Sequence, residues 1–407
     1  MSFQQGLSGL NAAAKNLDII GNNVANSNTV GFKQAEAQFS DVYANSLSGS
    51  GGSQVGIGTK VAAVVQQFSQ GNVTATENPL DVAINGAGFF RLSDNGAITY
   101  SRNGQFHLDS AGYVVNSSDA HLTGYTASTA GVLNTSAPAD IQISTADLAP
   151  QATTSANALL NLDSRQANLP SAGFDLTDPS TFNHSTSASI YDTLGNPHVL
   201  STYYLKTAAG SWDVFAAVDG TQVGAGAVGA LNFTASGAID TGTTTLPFSL
   251  SVPVTTGAVS PLAFDLDFSG TTQFGSNFSV NALDQDGFAS GRLAGFNIGP
   301  DGTIQGRYTN GRSSVLGQVV LASFSNPQGL DALGDNAFAE SFASGDPLVG
   351  APSTGSLGVL QSSAVEDSNV DLTAELVNMI TAQRVYQANA QTIKAQDAVL
   401  QTLVNLR

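Results

Sequence analysis

Cysteine is absent from the 407 residues, and with it go disulfide scaffolds, thiolate metal sites and cysteine nucleophiles. Charge is scarce: charged residues make up 11% of the chain, against about 25% in an ordinary soluble protein. Basic residues are scarcer still, 13 against 31 acidic ones, for a formal net charge of −18. A duplex binder needs a positive surface, so the balance argues against nucleic acid as a partner. No apolar run approaches the roughly 20 residues of a membrane-spanning helix, and no membrane insertion is expected. The opening Met1-Ser2-Phe3-Gln4-Gln5-Gly6 has neither a basic segment nor a continuous apolar one, so no Sec signal peptide is expected. The length allows two to four domains at roughly 100–200 residues each. An apolar share of 42% is ample for folded cores.

What is present has three textures. Over residues 3–24 apolar side chains follow a heptad track, Phe3, Leu7, Leu10, Ala14, Leu17 and Val24, with Gly21 at the missing step. The track stops at the turn-forming Asn26-Ser27-Asn28-Thr29, followed by Gly31. The far end repeats the pattern with Leu372, Leu376, Met379, Tyr386, Ala390, Ile393, Leu400 and Val404, interrupted by Gln383 and Asp397. Ser368-Asn369-Val370-Asp371 reads as its N-cap, which predicts a helix over about 370–405. The two helices would be roughly 35 Å and 54 Å long at ~1.5 Å per residue.

Between them the period falls to two. Turn glycines Gly96, Gly104 and Gly112 recur every eight residues, with strand-like segments 89–92, 98–100, 106–108 and 113–115 beside them, as in an antiparallel meander. Segments 295–298, 304–308 and 315–324 repeat this late in the chain, around turns at 300–302 and 310–311. Strands are expected at 189–192, 199–205, 212–218 and 264–268, with loops in the Ala/Gly tract 223–230. In residues 45–54 Ser and Gly hold seven of ten positions, the composition of a flexible linker.

A long helix with one narrow apolar stripe must bury it on something, and each end of the chain offers one. The expected fold is therefore mixed α and β and multidomain, with the terminal helices 1–28 and 369–407 in a coiled-coil-like inner domain. A connecting region, 29–71, follows. Residues 72–145 with 287–362 form a discontinuous inner β-domain, and 146–286 an inserted outer one, both antiparallel. Two helices make a thin core, so the ends are expected to be loose in a monomer and to settle against neighbouring copies. The charge fits this: 1–33 carries a net +1 and 369–407 a net zero, while 146–286 has twelve acidic residues against two basic.

No catalytic, cofactor or metal site emerges. Val55-Gly56-Ile57-Gly58-Thr59-Lys60 lacks the Gly-Lys-Ser/Thr order of a phosphate loop, and Gly86-Ala87-Gly88 lacks the third glycine and the helix of a dinucleotide fingerprint. Asp284-Gln285-Asp286-Gly287 would place Ala282 and Leu293 at ligand positions of a calcium loop. Asp265 and Asp267 share a strand face, as solvated alternation does. His107, His121, His184 and His198 show no ligand spacing.

Specific strings go further. Gly21, Asn22, Asn23, Ala25, Asn26, Thr29, Gly31, Phe32 and Lys33 stand in a segment, 17–33, that closely resembles the N-terminal signature of bacterial flagellar rod and hook axial proteins. Residues 370–380 and 383–390 resemble that family's C-terminal signature. Gly88-Phe89-Phe90 and Tyr100-Ser101-Arg102-Asn103-Gly104-Gln105-Phe106 match its inner β-domain. The likeness is strong at both ends, moderate in the flanking β-regions and weakest over about 207–285. Rod members are much shorter and lack a large insert, and Ile190-Tyr191-Asp192-Thr193-Leu194-Gly195-Asn196-Pro197-His198 looks like the outer-domain hairpin of the hook members. The resemblance implies no enzyme and no cofactor, but a subunit of the extracellular flagellar hook. It would be exported by the flagellar type III apparatus and self-assemble into a curved tube with a central export channel, transmitting torque as a universal joint. Its implied partners are copies of itself, the distal rod protein, the hook cap protein, the hook–filament junction protein and the export apparatus. A distal rod or junction protein, or a β-rich secreted adhesin or surface-layer protein, remains the alternative.

Overall fold

The computed structural model describes residues 2–42, 56–128 and 131–405; the Ser/Gly segment 45–54 lies outside them. The chain is mostly β-sheet with a long helix near each end, and it divides into two compact units. The first comprises 1–145, 295–307 and 313–407, the second 146–294 and 308–312.

In the first unit α1 spans Ser2–Ala25. It ends where Asn26, Ser27 and Asn28 offer side-chain hydrogen bonds that compete with the helix, as Asn26 does by donating to the Asn22 carbonyl at 3.0 Å. An antiparallel ribbon follows, β1 (Ala35–Val42) with β2 (Gly58–Gln66). Short strands β3 (Val73–Ala75) and β4 (Val82–Asn85) pair with Ala364–Glu366 and Val359–Ser362 from the far end of the chain. A thirteen-stranded sheet occupies the space between. Its first hairpin, Phe89–Asp94 with Ala97–Ser101, turns through Asn95 and Gly96, both at positive φ, as a two-residue loop matched to strand twist requires. Phe68, Phe89, Tyr100, Phe324 and Phe338 pack edge to face around its core, with Tyr100 and Phe324 at 4.8 Å.

The helix α2 spans Leu372–Asn405. Its cap is Asp371, whose Oδ1 accepts from the Thr373 and Ala374 amides at 2.8 and 3.1 Å, and not Ser368 as the sequence suggested. Asn369 is unavailable for helix formation: its amide accepts from Gln34 N at 2.8 Å and donates to the Gln67 carbonyl at 2.7 Å.

The second unit is a sandwich of two five-stranded sheets around a shared core that includes Trp212, Tyr204, Phe268, Leu160 and Leu162. The inward residues alternate, as in Phe248, Leu250 and Val252 opposite Leu266, Phe264 and Leu262. One expectation needs correction. Strand Ser155–Asp163 runs parallel to both Leu262–Asp267 and Thr272–Phe274, so the unit is not purely antiparallel. Period-two alternation reports a strand but not its direction, and a partner a hundred residues away is free of the hairpin constraint. The tract 223–230, expected as loop, ends in a strand, Gly229–Asn232, whose glycine leaves room for the Phe248 ring.

Within the first unit, a buried ionic cluster joins three remote segments. Glu366 Oε1 lies 2.6 Å from Lys33 Nζ, and its Oε2 lies 3.1 Å from an Arg102 guanidinium nitrogen. The Gly71 amide donates to the same carboxylate at 2.9 Å, and the Gly31 amide donates to the Glu366 carbonyl at 2.7 Å. Lys33 also donates to the Ser69 carbonyl at 2.7 Å, and Arg102 to the Gly86 carbonyl at 2.7 Å. The Arg102 guanidinium sits over the Phe89 ring, 5.5 Å from its centroid. Burial holds both Lys33 and Arg102 below their ordinary pKa values, against the opposing pull of Glu366. Gly31, at φ +73°, runs against the backbone of Arg102 and Asn103; a Cβ there would lie 2.5 Å from the Asn103 nitrogen.

Glu366→Gln keeps the shape and removes the shared anion, leaving two buried cations; the expected loss is about 3–5 kcal/mol. Trp212, the only tryptophan, lies in the second unit. In urea titrations of the full chain, hydrogen-exchange protection of the first unit should therefore collapse at lower denaturant while the Trp212 fluorescence transition stays in place. An unshifted first-unit transition contradicts the assignment. Gly31→Ala should lower the same transition by more than about 1 kcal/mol, through positive φ and backbone collision.

Candidate functional site

The two terminal helices pack antiparallel. A Cβ placed on Gly6 would be 3.1 Å from Ile393, one on Gly9 2.8 Å from the Asn389 side chain, and Asn23 reaches Glu375 at 3.4 Å. The face of α1 that meets α2 and the ribbon is Gly6, Gly9, Ala13, Ile20 and Asn23, and the answering face of α2 centres on Glu375, Ala382 and Asn389. These are mostly small residues, which let two backbones approach closely. Together α1, α2, β1 and β2 border a groove of about 690 Å³, lined by Ala13, Asn16, Ile20, Phe39, Ala382 and Val385 among others.

The heptad track read from the sequence is centred on a different face, although its Ile393 reaches Gly6. It lies one residue over on each helix, a rotation of about 100°. Phe3 and Leu7 are exposed; Leu10, Ala14, Leu17, Gly21 and Val24 are half-buried. On α2, Leu372, Leu376, Tyr386 and Leu400 are exposed, with Leu376 at 48% and Leu400 at 55%, while Met379, Ala390 and Ile393 are half-buried. The side chain of Val404 lies outside the described residues. Exposed Val377, Ile380, Val385 and Val399 widen the apolar surface beyond the expected stripe. Among the described residues of α2 only Glu375 and Ala382 are buried.

The N-terminal signature divides in the same way. Asn23 is buried, and its amide reads both backbone groups of Ala35, donating to the carbonyl at 2.8 Å and accepting from the N–H at 3.0 Å. It thereby pins the first residue of β1 to α1. Gln34 completes the clasp with a 2.8 Å bond to Glu375. Thr29 donates to the Asn26 side chain at 3.2 Å, and the Phe32 amide closes a turn onto the Thr29 carbonyl, also at 3.2 Å. Gly31 and Lys33 belong to the ionic cluster described above. Phe32 is half-buried, whereas Asn22 and Ala25 are exposed.

Sequence reasoning missed Glu366, Gln34, Asn369 and Glu375, which hold the two ends together. The available signal was rarity. In a chain this poor in charge, a carboxylate just before a helix and a lysine just after one invite a mutual partner.

The chain also resembles known proteins along its length. Residues 3–33 match the family described as flagella basal body rod protein, and 361–406 the flagellar basal body rod FlgEFG protein C-terminal family. Residues 83–157 match the flagellar hook protein FlgE/F/G D1 domain, and 161–288 the flagellar basal body protein FlaE D2 domain. The flagellar hook protein FlgE of Salmonella typhimurium is 43% identical over 418 residues, with all of both chains covered. That of Escherichia coli is 43% identical over 417 residues, again covering both chains fully. The Brucella suis protein of the same name is 33% identical over 410 residues, covering 100% of this chain and 98% of its own. Among solved structures, the Helicobacter pylori flagellar hook protein FlgE2 shares the fold, with a TM-score of 0.56 at 15% identity over 72% of this chain and 100% of that one. With full-length identity of 43% and family matches at both ends and through the β-regions, the chain belongs to the flagellar hook protein FlgE family.

Proposed function

We propose that the terminal helices are the assembly element of this chain: copies stack them around a common axis as a coiled-coil-like inner layer lining an export channel, with the β-units facing outward. Membership of the FlgE family makes the chain a structural subunit of the flagellar hook, and not an enzyme. On this reading the hook is a curved tube that passes torque from rod to filament while bending. The subunit is exported by the flagellar type III apparatus. It grows onto the distal rod protein beneath the hook cap and ends at the hook–filament junction protein. Residues 72–145 with 287–362 form the inner β-domain of each subunit, and 146–286 the outer one.

One observation supports this most: both helices carry a second apolar stripe, beside the one already used within the chain, and much of it is left in water, with Phe3, Leu7, Leu372, Leu376, Tyr386 and Leu400 exposed. A 34-residue helix with Glu375 and Ala382 as its only buried residues among those described has little to hold it in place as a monomer. Burying one large apolar side chain contributes about 1.5–3 kcal/mol. Several such residues per subunit, repeated along a lattice, are enough to drive polymerisation. Bending requires that outer contacts slide or re-form while the inner layer holds. Short Ser, Thr and Asn side chains suit such a wet, weak interface. The connecting region 29–71 sets the allowed travel.

Leu10→Asp and Leu376→Asp place a charge on the proposed interface at sites that are half-buried and exposed in the single chain. At the exposed Leu376, monomer stability should move by no more than about 0.5 kcal/mol. The critical concentration for tube formation, followed by sedimentation and electron microscopy, should rise at least tenfold, since about 1.4 kcal/mol is a factor of ten. Tubes formed by both variants at the wild-type concentration overturn the interface. Removing 1–30 and 369–407 should abolish tubes yet leave Trp212 fluorescence native-like.

A further inference from the structure

The hairpin after strand His184–Tyr191 turns through Asp192-Thr193-Leu194-Gly195-Asn196 and returns as Pro197–Ala208. At its base, the His198 side chain is 8% exposed and lies between two carboxylates of the same unit. Its Nδ1 is 2.6 Å from Asp219 Oδ2, and its Nε2 is 3.4 Å from Asp192 Oδ2. The Asp192 side chain is fully buried, whereas that of Asp219 is 52% exposed.

The two carboxylates hold different pieces of backbone. Asp192 Oδ1 accepts from the Leu194 and Asn196 amides, each at 2.9 Å, and its Oδ2 accepts from Asn196 Nδ2 at 2.9 Å and Thr256 Oγ1 at 2.6 Å. Asp219 Oδ1 accepts from the Val199 amide at 2.8 Å, and the Asp219 amide returns a bond to the Val199 carbonyl at 3.0 Å. The imidazole therefore bridges the 192–196 turn and the turn that follows strand Ser211–Val218. Only an imidazolium can donate to both carboxylates. A neutral ring must turn one lone pair toward an anion.

We propose that His198 is a pH-sensitive latch that links the Asp219 turn to the Asp192 turn only while both ring nitrogens carry protons. The groups facing it are Asp192 and Asp219. The 253–260 loop packed against the turn through Thr256 contributes no titratable side chain; the other titratable groups of the two hairpin strands are His184, Tyr191, Tyr203, Tyr204 and Lys206, and the strand Ser211–Val218 carries Asp213. Burial alone would lower the histidine's proton affinity, but hydrogen bonds to Asp219 and Asp192, with their charges, outweigh it and raise the pKa above the ordinary 6.5. A raised folded-state pKa means that the stabilisation is complete below the unfolded value and is lost as pH rises through the folded one. The half-exposed Asp219 is the end that lets go, because water can replace its partner, while Asp192 keeps four other donors. The latch belongs to the single chain and is tested apart from assembly.

Histidine resonances of the full chain, assigned by comparison with His198→Gln, give the titration directly, and amide exchange corrected for intrinsic rates reads the latch. His198 should titrate above 6.5. The Val199 and Asp219 amides should lose at least tenfold protection through that midpoint, while the Val214 amide in the neighbouring strand holds. Asp219→Asn keeps a hydrogen-bond acceptor but removes the charge. It should lower the His198 midpoint and abolish the step in Val199 protection. A midpoint at or below 6.5, a Val199 amide indifferent to it, or an unchanged step in Asp219→Asn overturns the proposal.

Discussion

One carboxylate, Glu366, is shared by two buried cations, and the placement of both chain ends follows from it. Lys33 comes from just after α1, Glu366 from just before α2, and Arg102 from the sheet between. Three charges that are costly to bury can be tolerated only together, so the chain must bring those segments to one point. The cluster carries one surplus positive charge. The Gly86 and Ser69 carbonyls and the face of Phe89 absorb part of it, and burial weakens proton binding by Lys33. From that point α1 and α2 leave side by side, and their antiparallel register is then set by Asn23 and Gln34 on Glu375. A hydrophobic contact could slide by a turn at little cost. A carboxylate with matched amide donors cannot.

The helices divide their circumference. One stripe of glycine, alanine and asparagine faces the chain itself, and the next stripe, of leucine, phenylalanine, tyrosine and methionine, does so only in part. Small residues bury little area, so the inner pairing contributes geometry more than energy. Large residues left outside are the reverse. If assembly runs through that outer stripe, the subunit arrives with its helix pair already oriented by polar bonds, and the lattice supplies the apolar burial that a lone chain lacks.

Helix existence, the stop after Ala25 and the turn glycines of the first sheet were legible because they are local: a period, a competing side chain, a residue that alone tolerates positive φ. The direction a helix face points was not. A heptad identifies the most apolar stripe, and in this chain the most apolar stripe is not the one packed intramolecularly; Gly6, Gly9 and Ala13 leave almost no periodic trace. The cap shifted from Ser368 to Asp371 because Asn369 is engaged by Gln34 and Gln67, partners some three hundred residues away. The parallel pairing of Ser155–Asp163 and the meeting of Lys33, Arg102 and Glu366 escaped for the same reason. Each depends on which remote segment arrives, and a single sequence does not encode that in any local pattern.

The acidic excess of the second unit takes on a more specific meaning in the structure. Its carboxylates are largely fastened to backbone amides. Asp175 accepts from the Thr177 amide, Asp178 from Ser180, Asp192 from Leu194 and Asn196, and Asp240 from Gly242, each within its own turn, while Asp286 reaches the remote Thr154 and Ser155 amides. Hydrogen bonds to the ionised form lower the pKa, and Asp175, Asp178, Asp192 and Asp286 all lie below the ordinary carboxylate value. Stabilisation from a depressed carboxylate is present above its unfolded pKa and disappears only as pH falls through the folded one. The same residues that keep the unit charged and solvated therefore also close its loops, without disulfides and with few cationic partners. A β-sandwich built this way has turns that are rigid because they are anionic. That explains how a unit with so few basic residues can carry so many acidic ones: backbone amides, and not lysine or arginine, serve as their main counter-groups.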